Sequence, residues 1–92
     1  MSDARKPRPS LLPPDALLAV VRVLEYGAAK DGRKPGDWQH LGPEGVGMMV
    51  DAALRHLLEH AAGREQDESG ELHLAHAAAS CLLAVALVTA AE

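Results

Sequence analysis

Apolar residues recur at helical spacing in three stretches of this chain, and clusters of glycine, proline and charge interrupt the pattern between them. After Pro13-Pro14-Asp15, which puts an acid beside the positive end of a helix dipole, Leu17, Val21 and Leu24 follow at helical spacing. This predicts a first helix over about 14–28 that ends near Gly27. A second helix is predicted over about 44–62, with Gly63 as its stop. At about 100° per residue its Met49, Val50, Ala53, Leu54, Leu57, Leu58 and Ala61 share one broad apolar face. Asp51, Arg55 and Glu59 lie opposite, and His56 and His60 fall at the edge of the apolar arc. A third helix, about 71–89, carries His73, His76 and Ser80 in one stripe that Leu83 and Leu87 continue. Beyond Ser80 this helix is apolar all round, and such a helix is normally buried on every side. Three helices from one chain can hardly enclose it, so a second copy is expected to.

The segments between the helices differ in character. Residues 1–13 form an arm with Arg5, Lys6 and Arg8, and four of the six prolines fall within residues 1–14, which predicts an extended, basic N-terminus. Residues 14–92 then make one domain. Lys30 to Pro43 is a long loop broken by Gly32, Pro35, Gly36 and Gly42, near the length at which a structureless loop is usually functional or disordered. Arg64 to Gly70 is an acidic turn.

Composition supports an all-α bundle of three main helices completed by oligomerisation, because alanine and leucine abound while Trp38 and Tyr26 are the only aromatics. At 92 residues the chain is a single domain of marginal size, and association as a dimer or tetramer would offset that. A net charge of -4 argues against a duplex nucleic-acid partner, which would need a basic face. A lone cysteine, Cys81, cannot form an intrachain disulfide. No signal peptide and no apolar stretch near the roughly 20 residues of a membrane span are read from the sequence, so no membrane is expected and the expected location is cytoplasmic.

Four groups of residues could carry chemistry. His73 and His76, one helical turn apart, can point at one metal ion or phosphate, or can instead satisfy hydrogen bonds in an oligomer core. Asp67 and Glu68, with Glu65 nearby, offer the hard oxygen ligands that hold Mg²⁺ beside a polyphosphate, or are simply a solvated turn. Asp51, Arg55 and Glu59 form an i, i+4, i+8 ladder that is either a salt-bridged solvent face or, if covered, a phosphate fork with a ligand or base. Lys30, Arg33 and Lys34 with Trp38 join positive charge to a flat ring, suited to phosphates and a purine, while a tryptophan can equally anchor a loop.

Four segments, in order, resemble the phage and bacterial dATP/dGTP diphosphohydrolase family over almost the whole chain. They are Leu11-Leu12-Pro13-Pro14-Asp15-Ala16-Leu17; Val23-Leu24-Glu25-Tyr26-Gly27-Ala28-Ala29-Lys30 with Trp38 following; Ala53-Leu54-Arg55-His56-Leu57-Leu58; and Asp67-Glu68-Ser69-Gly70 leading into His73-Leu74-Ala75-His76. The resemblance implies an α-helical, oligomeric, MazG-like pyrophosphohydrolase that converts a purine dNTP to dNMP and pyrophosphate with Mg²⁺ or Mn²⁺. It carries over Arg55, His56, Asp67, Glu68, His73 and His76 as site positions. In that scheme Asp67, Glu68 and Glu59 serve metal binding or water activation, His73 and His76 join the metal, Arg55, Lys30, His56 and His76 meet the substrate, and Trp38 takes the base. The helical Glu-x-x-Glu and Glu-x-x-Asp pairs of typical MazG enzymes are missing. Histidines then substitute as ligands, or the chain captures nucleotides, cyclic signalling nucleotides of host defence included, without cleaving them. A third reading is a purely structural oligomerisation module.

Overall fold

The computed structural model describes residues 6–91, and Arg5 of the basic arm lies outside them. Three α-helices carry the fold: α1 (Pro14–Asp31), α2 (Glu44–Ala61) and α3 (His73–Ala91). No strand forms among the described residues beyond one bridging pair, Gln66 and Leu72. The all-α reading therefore holds, with helix boundaries shifted by a few residues. The first helix runs on to Asp31, so Lys30 sits on it and not in the loop, and the third begins at His73.

Local chemistry accounts for these ends. Pro14 opens α1, where its missing N–H costs nothing, and Asp15 lies in the first turn. Gly32, at φ 69°, closes the helix in the left-handed conformation that glycine adopts without strain, and its N–H donates to the Ala28 carbonyl. The N-terminal arm is not wholly extended, since Pro9–Leu11 makes a short 3₁₀ turn. The long loop likewise holds a 3₁₀ turn, Asp37–Leu41, which carries Trp38.

The central element is α3, which packs along α2 and, over a shorter stretch, against α1. Its start lies by the His56 end of α2 (His56 against His73), while Leu87 lies within reach of Gly45 near the start of α2, so these two helices run antiparallel. Val23 of α1 packs on Ala75 and Ala79 of α3.

The buried side of α2 corrects the expected apolar face. Gly45 and Ala53 are buried and His56 half-buried, whereas Val50, Leu54, Leu57 and Leu58 stay in solvent. A glycine lets the start of α2 sit close to the preceding 3₁₀ turn and to α3: a Cβ on Gly45 would fall 2.6 Å from Leu41 Cβ and 3.0 Å from Leu87 Cδ1. On α3 the same choice recurs, with His73, Ala75, His76, Ala77 and Ala79 inside and Leu74, Leu82, Val85 and Val88 outside.

The expectation about apolar length is also corrected. The 19 residues of α3, with mean hydropathy 2.0, are long and apolar enough by length and composition to cross a membrane. The run contains no Asp, Glu, Lys or Arg, and its alanines raise the average as leucines would. In this fold its first half is a packing helix, buried between α1 and α2.

Candidate functional site

The turn between α2 and α3 gathers the partly buried polar groups. Asp67 opens it by folding its carboxylate back on the chain: Oδ1 accepts the Ser69 N–H at 2.8 Å and the Ser69 hydroxyl. Gly70 completes the turn at φ 83°, with its N–H donating to the Asp67 carbonyl at 2.9 Å. The His73 N–H donates to the Glu65 carbonyl at 2.7 Å, which fastens the start of α3 to the far side of the turn. The loop thus holds Asp67 Oδ2 3.0 Å from His76 Nε2, and Ser69 Oγ lies 3.0 Å from the same nitrogen.

His56 enters from α2. Its ring stacks on His76, with centroids 4.5 Å apart and planes at 15°, and its Nδ1 is 2.8 Å from His73 Nδ1. One of those two Nδ1 atoms carries the proton and donates to the other. One ligating atom each from His56, Asp67 and His76 lies within 4.8 Å of the others, so three segments of the chain present a carboxylate and two imidazoles to one point.

The electrostatics suit cation binding. Burial works against ionisation of Asp67, but hydrogen bonds from Ser69 and His76 outweigh it and hold the carboxyl below the ordinary range, so it is an anion at neutral pH. Burial, then the neighbouring His76 and His73, keep His56 below its usual 6.5. Its ring is a neutral imidazole with a lone pair at neutral pH.

The remaining sequence candidates make other contacts. Glu68 meets Lys30 at 3.8 Å, both exposed. Glu59 accepts two hydrogen bonds from the Arg64 guanidinium, at 2.8 and 3.0 Å, and that contact lowers its pKa. Arg55 is exposed on α2. Of the expected catalytic trio Glu59, Asp67 and Glu68, Asp67 contacts the histidines while Arg64 and Lys30 meet the other two. Trp38 is half-buried beside a groove of about 280 Å³, with Leu24 and Ala28 of α1, Leu83 of α3, and Arg33 and Lys34 of the loop. Gly27 makes room there, because a Cβ on it would fall 2.2 Å from the Arg33 guanidinium. Groove and cluster meet different edges of α1: Val21, Leu24 and Ala28 face the groove, while Arg22 and Lys30 reach Glu71 and Glu68 of the turn.

Sequence reasoning missed two partners. Ser69 joins Asp67 to His76, and the Asp-x-Ser-Gly spelling of an Asx turn was the available signal. Arg64, just past the Gly63 stop, takes Glu59 out of its expected ladder, and spacing on the helix alone gave no sign of it.

A family model described as dATP/dGTP diphosphohydrolase, N-terminal, matches residues 1–92. The chain belongs to that family. No curated protein and no solved structure matches it. The description names the N-terminal part of such proteins, and the chemistry of this chain has to be argued from its residues.

Proposed function

We propose that this chain handles a purine deoxynucleoside triphosphate, dATP or dGTP, and takes part in its hydrolysis to the monophosphate and pyrophosphate. The supporting observation is the convergence of His56, Asp67, His73 and His76 from three segments of the chain, at positions that the family resemblance singles out. Clustered titratable groups with perturbed ionisation mark functional sites more often than scaffolds.

Attack on the α-phosphorus needs charge neutralisation on the phosphates and an activated water, and a bound divalent ion supplies both. His56, Asp67 and His76 would hold that ion. Two imidazoles and one carboxylate suit Mn²⁺ better than Mg²⁺, which prefers oxygen ligands throughout. Lys30 and Arg55 are the cations for the polyphosphate, and the groove beside Trp38, with Arg33 and Lys34, takes the base. Because α1 presents different edges to groove and cluster, a substrate engaging both would bridge two copies of the chain. A homo-oligomer joined through the exposed leucines of α2 and α3 is part of this proposal.

Incubating the purified protein with each dNTP and Mn²⁺ or Mg²⁺ tests the reading. Monophosphate plus pyrophosphate from dATP or dGTP supports it, and no turnover of any dNTP with either ion sinks it. One observation favours capture without cleavage as a second reading: Glu59 and Glu68 are engaged by Arg64 and Lys30, which leaves Asp67 as the one carboxylate in the cluster. Recovery of an intact nucleotide after denaturing the complex would select capture.

A further inference from the structure

The three-ligand cluster says more about its ion than that it is divalent. Mg²⁺ demands near-octahedral oxygen ligation and gives up water reluctantly, so a site with two nitrogen donors and one carboxylate suits it poorly. Imidazole is the preferred donor of Zn²⁺, Co²⁺ and related ions, and two histidines with one carboxylate leave positions open on the metal. We propose that His56, Asp67 and His76 form a site selective for a first-row transition ion, Mn²⁺, Co²⁺ or Zn²⁺, over Mg²⁺, with His73 and Ser69 aiming the ligands. The proposal rests on placing the ion of the proposed function at this cluster, but it does not depend on turnover.

Three features carry it. The rings of His56 and His76 lie with centroids 4.5 Å apart and planes at 15°, close enough that turning their edges toward each other would bring their nitrogens to one ion. His76 Nε2 already faces Asp67 Oδ2 at 3.0 Å, so an ion would take the place of the proton shared between them. The groups behind the ligands are built in. His56 Nδ1 can donate to His73 Nδ1 at 2.8 Å, which frees His56 Nε2 for a metal, as is usual for a ligating histidine. Asp67 Oδ1 is occupied by the Ser69 N–H and hydroxyl, which leaves Oδ2 facing the site. His73 and His76 are themselves buried, so their rotamers are restricted.

Ligands come from α2, the turn and α3, so the ion would also tie the antiparallel pair together at one end. Binding to the folded state alone raises the melting temperature.

The test uses the untagged full chain, stripped with EDTA and given one ion at a time without nucleotide. Zn²⁺, Co²⁺ or Mn²⁺ is expected to raise the melting temperature by at least about 5 °C, and Mg²⁺ at the same concentration to leave it unchanged. Co²⁺ should give a visible d–d spectrum saturating at one ion per chain, with no thiolate charge-transfer band, since Cys81 lies outside the cluster. His76→Gln and Asp67→Asn should abolish the spectrum, and His73→Gln should weaken Co²⁺ binding by about 10-fold. A melting temperature that rises equally with Mg²⁺, or a Co²⁺ spectrum that survives His76→Gln, overturns the proposal. The first of these outcomes needs only the unmodified chain, so a variant that fails to fold does not blunt the test. Ion binding without dNTP turnover would leave this site standing and sink hydrolysis. Turnover in Mg²⁺ by His76→Gln would do the reverse.

Discussion

The two faces of α3 differ in an unexpected direction. The buried face is made of alanines and two histidines with Leu87 as its one large apolar residue, while the open face carries Leu74, Leu82, Val85 and Val88, the last two at 61% and 47% exposure. Size and greasiness therefore do not decide which side goes in. Close approach between helices favours small side chains, and polar groups are admitted where each finds a partner. Among the described residues no buried side-chain nitrogen or oxygen lacks one. Most of the large apolar residues stay exposed, and the proposed homo-oligomer would cover them.

Asp67→Ala should break that contrast most severely. It removes the acceptor for the Ser69 N–H and hydroxyl and for His76, and leaving such partly buried groups unpaired costs about 3 kcal/mol in a denaturant melt. Ala79→Leu attacks the same face through volume. Ala79 is 3% exposed and packs with Val23, so the extra carbons should cost about 2 kcal/mol.

Acid should act on the polar side alone. The folded state holds His56 below 6.5, so the unfolded chain takes up that proton more readily and stability falls as pH drops below about 6.5. Asp67, also depressed, has the same sign further into acid, where its contribution is lost as pH falls through its folded pKa. Melts of metal-free protein across this range check both, and a stability that rises on acidification would contradict the assignment.

On the open face, Leu54→Lys should change the stability of dilute protein by less than about 0.5 kcal/mol while abolishing concentration-dependent association in sedimentation. The smallest effect is expected from Glu59→Gln. Its carboxylate is exposed and bound to Arg64, so the melting midpoint should not move measurably. A loss of dNTP turnover in that variant would restore Glu59 as a base, and unchanged turnover would remove it.

Much of this fold was legible because helical periodicity, Pro14 and Gly63 are local signals, whereas α1, expected to end near Gly27, is closed by Gly32. The rotation of α2 was not legible. Its leucine arc is the stronger pattern on the helix, and only the alanine face of α3 explains why Gly45, Ala53 and His56 turn inward instead. At the site, the His73–His76 spacing and the Asp67 turn were readable together, since all three lie within ten residues. The part played by His56 depends on antiparallel pairing across a separate helix, which no spacing rule reports. The contacts of Glu68 and Glu59 were not legible for a related reason: Lys30 and Arg64 reach them from other segments.

Cys81 adds a practical consequence. The only thiol of the chain is exposed and falls, at helical spacing from Leu74, Leu82 and Val85, on the open side of α3. The molecule thus carries its own footprinting label. Alkylation should be fast while that side meets water and slow once it is covered, so a simple rate against protein concentration reads assembly at that one position without a crystal.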